Sequence, residues 1–377
     1  MNFEKLTNYI KNTDKNLIPE CEIAIYQNNE KIYYNYFKRD DVKENKKDMY
    51  FLFSASKPIT CTSALMLLEK GLLNLEDPVS KYLPEFGELY LRDGSRAKNT
   101  LKIKHLFTMT GGFTYDVGFE GIKKVYAETN GKATTREMVA AISKMPLEFE
   151  PGEGYRYSLC HDVLAAVVEV ITGKPFGKYL DEVIFKPLGM KDTTLKLTDE
   201  VLSRLKQEYT QNQATKSAEP IEPTNIFMLS ENYESGGAGI ISTLKDYIIF
   251  ADALATGTAK NGYRLLKPET IELMRKNHLT PYLNQRFNAT CGAKEGYGYG
   301  LGVRTLVDKT AANAHPNLPL YEFGWDGAAG AYVMLVPELK LSVFYVQHVL
   351  NSAYAFGYVH QAIRNLVIEG LELNEKN

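Results

Sequence analysis

The β-prone runs of this chain stand at its two ends, with mostly helical text between them, and that arrangement limits the folds open to it. Cys21 to Tyr26 and Lys31 to Tyr36 are strand-like, and Gln27-Asn28-Asn29-Glu30 between them is turn chemistry, so they read as a hairpin. Tyr321 to Trp325, Ala331 to Val336 and Leu341 to Gln347 are short β-prone runs near the other end, the last two joined across Pro337-Glu338. Between these groups, helices are predicted over Ala55 to Lys70 (closed by Gly71), Leu101 to Thr110, Thr135 to Ser143, Asp162 to Thr172 and Pro175 to Ile184. A last amphipathic helix is expected over Ala353 to Leu371. The pattern predicts an α+β (mixed) chain: a discontinuous sheet domain from 1–75 and 235–377, and a helical domain from 76–234. Gly112 to Gly131 and Glu208 to Asn232 are expected to be long loops at the rim of a site.

Composition removes several functions. A formal charge of -2 over 377 residues leaves no basic field for nucleic acid. The longest apolar stretch, Val163 to Ile171, is broken by Glu169, so no membrane span is expected. The polar N-terminus from Met1 to Lys15 does not read as a signal peptide, which points to a cytoplasmic location. Cys21, Cys61, Cys160 and Cys291 are widely spaced, as suits reduced thiols, and no histidine sits in a zinc-binding frame. Neither a metal nor a cofactor is expected. The partner implied is a small-molecule substrate.

Three elements carry chemistry. Ser54-Ala55-Ser56-Lys57 is an S-x-x-K element opening a helix, and residues three apart share a helix face, so the Lys57 amine can reach the Ser54 hydroxyl. Serine is a poor nucleophile until a base takes its proton. Ser95 to Lys98, Ser203 to Lys206 and Ser242 to Lys245 match the same spacing, but only Ser54 follows a sheet hairpin and opens an apolar helix. Tyr155-Arg156-Tyr157-Ser158 follows the turn Pro151-Gly152-Glu153-Gly154 and precedes a helix whose N-cap is expected to be Asp162. A phenol there can point into a cleft, and a nearby lysine charge would lower its pKa toward general-base work. The third element, Gly324-Trp325-Asp326-Gly327-Ala328-Ala329-Gly330, has small residues that let substrate lie along a strand edge. Trp325 reads as packing or as a wall of the site.

Together these elements resemble the serine β-lactamase and penicillin-binding-protein superfamily, closest to class C β-lactamases and family VIII carboxylesterases. Connecting phrases are similar too, in the same order: Leu75-Glu76-Asp77-Pro78-Val79, Lys104-His105-Leu106-Phe107-Thr108, Lys186-Pro187-Leu188-Gly189-Met190 and Ser235-Gly236-Gly237-Ala238-Gly239. The resemblance implies a five-stranded antiparallel sheet flanked by helices, with a helical domain over the cleft. It implies Ser54 as nucleophile, Lys57 as its activating lysine, Tyr157 as proton shuttle, and an oxyanion hole from the backbone N–H groups of Ser54 and Ala328. Trp325, Asp326, Gly327, Leu159 and Tyr115 are the expected substrate contacts. Leu159 stands where the family's Y-x-N asparagine would be, and Trp325-Asp326 where a lysine and threonine would grip a β-lactam carboxylate. Asp326 is expected to repel such a carboxylate, unless Arg286 or Lys294 supplies a cation. The expected activity is a carboxylesterase on small esters. The alternatives are a β-lactamase or D-Ala-D-Ala carboxypeptidase of the same fold, or a non-catalytic binding or scaffolding member.

Overall fold

A computed structural model describes residues 1–42, 47–212, 214–292 and 294–371. The two ends of the chain share one sheet, as the strand pattern predicts. Its strand order is 30–38, 20–27, 341–347, 332–336, 323–324, 304–306 and 297–299, with antiparallel neighbours throughout. Seven strands replace the expected five. The two additional ones, Tyr297–Tyr299 and Arg304–Leu306, are three residues each and separated by a Gly-containing turn. Such short strands carry no period-2 pattern to read.

Alternate residues of a strand face opposite sides, so neighbours in Leu341–Gln347 report both faces. Phe344 stacks on Tyr247 of the Leu244–Thr256 helix, with ring centroids 4.2 Å apart. Tyr345 faces His360, which opens the C-terminal helix His360–Gly370. The sheet is therefore covered by helix on both faces. The expected terminal helix is split, since a π-helical turn over Ala355–Val359 precedes that last segment.

Helices form close to the expected places at Lys57–Glu69, Ile103–Phe107, Thr135–Ile142, Cys160–Thr172 and Phe176–Leu180. Thr134 and Glu137 close a reciprocal capping box at the start of the third of these. The two long connections are not bare loops. The first contains the helix Glu120–Glu128. The second contains the antiparallel strands Glu208–Asn212 and Ser217–Ile221, and Val349–Leu350 extends that small sheet. Among the described residues no helix is long and apolar enough to cross a membrane.

Candidate active site

Met49–Phe51 pairs with Ile241–Thr243 and delivers the chain to Ser54. The turn into the helix is tight. Phe53 sits at φ 46°, a left-handed conformation that costs a non-glycine residue about 1–3 kcal/mol and is retained where its surroundings enforce it. Ser54 lies in a 3-10 turn, Phe53–Ser56, and Lys57 with Pro58 starts the α-helix proper. That helix is bolted to the small-residue segment 235–239. Thr60 Oγ1 donates to the Gly236 carbonyl at 2.6 Å, Lys57 Nζ to the Gly237 carbonyl at 2.7 Å, and the Ile240 N–H to Ser56 Oγ at 3.1 Å. A side chain at 236 would strike the His161 carbonyl at 2.4 Å, and one at 237 the Asp162 carboxylate at 2.6 Å. Close approach of the Cys160–Thr172 helix is the physical reason for these glycines.

Lys57 is fully buried and its ammonium is spent on three partners. It donates to Ser54 Oγ at 3.1 Å, to the Tyr115 phenol at 2.7 Å and to the Gly237 carbonyl. Burial drives its pKa down to about 7, with the nearby Asp162 charge opposing that fall. At neutral pH a substantial part of the population therefore carries a free amine beside the serine hydroxyl.

Tyr157 belongs to the same group, in hydrogen-bond contact with Ser54. Its pKa behaves opposite to expectation. Burial raises it above the usual phenol value, with the hydrogen bonds from Ser54 and Trp325 opposing. The lysine reaches the ring rather than the hydroxyl, with Nζ 4.6 Å from the ring centroid, so no full charge sits on the phenol oxygen. Tyr157 is thus a neutral phenol, and Lys57 is the group that can act as base. Trp325 is both packing and site: nearly buried against Tyr157 and Tyr299, it donates its indole N–H to the Tyr157 oxygen at 2.9 Å.

Two expected substrate contacts stand elsewhere. Leu159 is buried in the core and precedes the Cys160–Thr172 helix without lining the cavity at Ser54. Tyr115 also lies outside that cavity lining and holds Lys57, supplying a polar contact to the amine that Leu159 cannot make. Asp162 is not the N-cap. The helix begins at Cys160, so its fully buried carboxylate lies in the first turn and accepts from Tyr233 (2.7 Å), Ser235 (2.6 Å) and the Gly237 N–H (3.3 Å). Sequence reasoning missed this support because nothing local links Asp162 to 233–237.

The cavity at Ser54 has a volume of about 440 Å³, and its lining includes Tyr157, Trp325, Asp326, Gly327, Ala328 and Phe356. At Gly327 a Cβ would lie 2.3 Å from the Leu52 carbonyl, so glycine lets the 325–330 segment close onto the Ser54 turn. The Ala328 N–H has no hydrogen-bond partner among the described residues. Asp326 differs from expectation. Lys294 is bonded to one of its oxygens and Arg304 lies 3.3 Å from the other. Burial alone would raise its pKa, but these two cations outweigh it and hold the carboxyl at about 2. Asp326 therefore presents a compensated charge, and the expected repulsion loses its basis. Arg286 is exposed and outside the lining.

The other S-x-x-K serines are occupied or apart. Ser95 Oγ donates to Asp93 at 2.6 Å, Ser203 Oγ to the Glu200 carbonyl at 2.7 Å, and Ser242 is buried against Thr193 at 2.7 Å. A second cavity, about 430 Å³ and bordered by Arg136, Glu169 and Glu234, has no serine or cysteine in its lining.

Residues 6–366 match the Beta-lactamase family. The chain belongs to it. It is 30% identical to the esterase EstB of Burkholderia gladioli, over 84% of this chain and 81% of that one. It is 25% identical to a putative D-alanyl-D-alanine carboxypeptidase of Escherichia coli, over 83% and 72%. Among solved structures it is similar to EstCE1, a hydrolase with promiscuous acyltransferase activity, at 26% identity and a TM-score of 0.79, covering 97% and 98% of the two chains. The fold is the β-lactamase/transpeptidase-like α+β fold, here with a seven-stranded sheet, and the family is one of hydrolases.

Proposed function

We propose that this chain is a serine hydrolase that forms an acyl-enzyme on Ser54 and acts as a carboxylesterase on small esters. The observation that carries the reading is the Lys57 amine 3.1 Å from Ser54 Oγ, held by burial to a pKa of about 7. Similarity to EstB and to EstCE1 supports the ester preference. Ser54, Lys57 and Trp325 belong to the proposed sheet domain (1–75 and 235–377), and Tyr115 and Tyr157 to the proposed helical domain (76–234). A cytoplasmic setting is part of the reading, supported by four cysteines that are all free thiols.

In this mechanism neutral Lys57 takes the Ser54 proton as Oγ attacks the ester carbonyl. The N–H groups of Ser54 and Ala328 hold the oxyanion. Tyr157 gives its phenolic proton to the departing alkoxide. The Trp325 N–H and the Lys57 ammonium over the ring stabilise the resulting phenolate. Water then attacks the acyl carbonyl and gives its proton to the Tyr157 phenolate, while the Lys57 ammonium returns its proton to Ser54 Oγ as that oxygen leaves, restoring all three groups.

Similarity to the Escherichia coli relative favours one second reading, a peptidase or β-lactamase of the same fold. The test is kcat/KM for 4-nitrophenyl butyrate beside a chromogenic cephalosporin and a D-Ala-D-Ala peptide on one preparation. A clear ester preference is expected. The reverse preference would reassign the substrate while leaving Ser54 in place. A chain inert to all three and to a fluorophosphonate probe would be a non-catalytic member.

A further inference from the structure

Among the described residues, the charged side chains lining the Ser54 cavity are Lys294 and Asp326, and they are bonded to each other. Both are nearly closed to solvent, at 8% and 7% exposure. The free side of Asp326 faces Arg304, which is itself held by Glu322 at 3.0 Å and by the Val333 carbonyl at 2.8 Å. Arg304 is buried in the sheet and does not line the cavity. Lys294 is therefore the cation within reach of a bound substrate, and Asp326 occupies it.

We propose that Asp326 is a specificity-determining residue: by holding Lys294 in an ion pair it denies the cavity a free cation and biases the site toward esters without a negative group. This rests on the reading of the cavity as an ester-hydrolysing site and names its substrate class. A carboxylate entering the cavity loses its water and needs a cation in return. Here it meets Lys294 and Asp326 together, and attraction to one is largely cancelled by repulsion from the other. A neutral ester loses no ionic hydration and is indifferent to the pair. Asp326→Asn keeps the size of the side chain, removes the negative charge and frees Lys294.

The experiment compares 4-nitrophenyl acetate with 3-carboxy-4-nitrophenyl acetate, which differ by one carboxylate. The quantity read is the ratio of kcat/KM for the anionic ester to that for the neutral one. Asp326→Asn should raise the ratio about tenfold or more, the worth of a hydrogen bond to a charged group. Adding Lys294→Gln should return it to within about twofold of wild type, because the gain depends on that cation. A folded Asp326→Asn variant with an unchanged ratio, or a double variant that keeps the gain, overturns the proposal. Removing Asp326 exposes two buried cations to each other, so the variant is also followed by its melting temperature. If it is too unstable to assay, the Asp326→Asn/Lys294→Gln double variant, which removes both charges, carries the test. Its ratio should stay within about twofold of wild type, since the native pair presents little net charge to the cavity. A large fall in that ratio would show that Lys294 serves the anion in the native site, and would overturn the proposal. Failure of the esterase reading is separate: wild type inert to the neutral ester, or activity that survives Ser54→Ala, removes that reading whatever the ratio.

Discussion

The indole N–H of Trp325 donates to the phenol oxygen of Tyr157 at 2.9 Å, which ties the strand edge beside Ser54 to the loop that carries the phenol. A donor aimed at that oxygen favours any state in which Tyr157 gives up its proton. Trp325→Phe keeps an aromatic ring against Tyr157 and Tyr299 but removes the donor. Turnover of an alkyl ester such as ethyl butyrate, whose alkoxide needs a proton to leave, should fall roughly tenfold or more, as for a lost hydrogen bond to a developing charge, with a smaller change in KM. Equal turnover in the two proteins would reduce Trp325 to packing. A lysine at 325 would sit in this aromatic pocket, so that replacement is expected to destabilise the protein before it recruits anions.

The Lys57 amine sets the pH dependence. It must be neutral to accept the Ser54 proton, and burial holds it at about 7, so kcat/KM should rise with pH through a midpoint near 7 and then level off. Asp162 faces the amine and favours its charged form, so removing that charge lowers the pKa. Asp162→Asn should move the midpoint to lower pH, in addition to any loss from weakening the hold on Gly237. A pH–rate profile that keeps its midpoint in the variant would mean that Asp162 acts on structure alone.

Tyr157→Phe retains the ring over which the Lys57 amine lies and deletes only the hydroxyl. The Trp325 N–H loses its acceptor, so stability should fall by about 1–3 kcal/mol, while turnover falls by roughly 10²–10⁴, the usual contribution of a positioned acid–base group. Near-normal turnover in this variant would leave Lys57 to manage the proton without help.

Gly327→Ala tests the approach of the strand edge to the nucleophile turn. The added carbon would lie 2.3 Å from the Leu52 carbonyl, and neither backbone can yield without moving Ser54 or Ala328. Destabilisation of about 1–3 kcal/mol is expected, as for overpacking, together with a loss of kcat larger than the change in KM. A variant with native melting temperature and native kcat would show that the segment shifts freely.

Much of this was legible in the sequence because it is carried by local patterns. The Cys21–Tyr36 hairpin, the helix after Lys57 and the three-residue step from Ser54 to Lys57 depend on neighbours in the chain, and the structure reproduces them. What escaped depends on partners far apart. The last two strands of the sheet, at 297–299 and 304–306, are too short for a pattern, and one holds the buried Arg304. Asp162 looked like a cap because Asp before an apolar helix usually is one, and its partners lie about 70 residues on, at Tyr233, Ser235 and Gly237. The Lys294–Asp326 pair inverts the meaning of the aspartate, and nothing in either segment announces the other.

The central claim is that Ser54, alone among the S-x-x-K serines, becomes acylated, because only there does a buried amine meet a hydroxyl inside a cavity. Intact-protein mass spectrometry after brief incubation with a fluorophosphonate or a slow nitrophenyl ester measures it directly, with the adduct located by peptide mapping. The account predicts one adduct on Ser54, absent from Ser54→Ala and retained in Ser95→Ala and Ser203→Ala. An adduct on any other residue, or one that persists in Ser54→Ala, would contradict it.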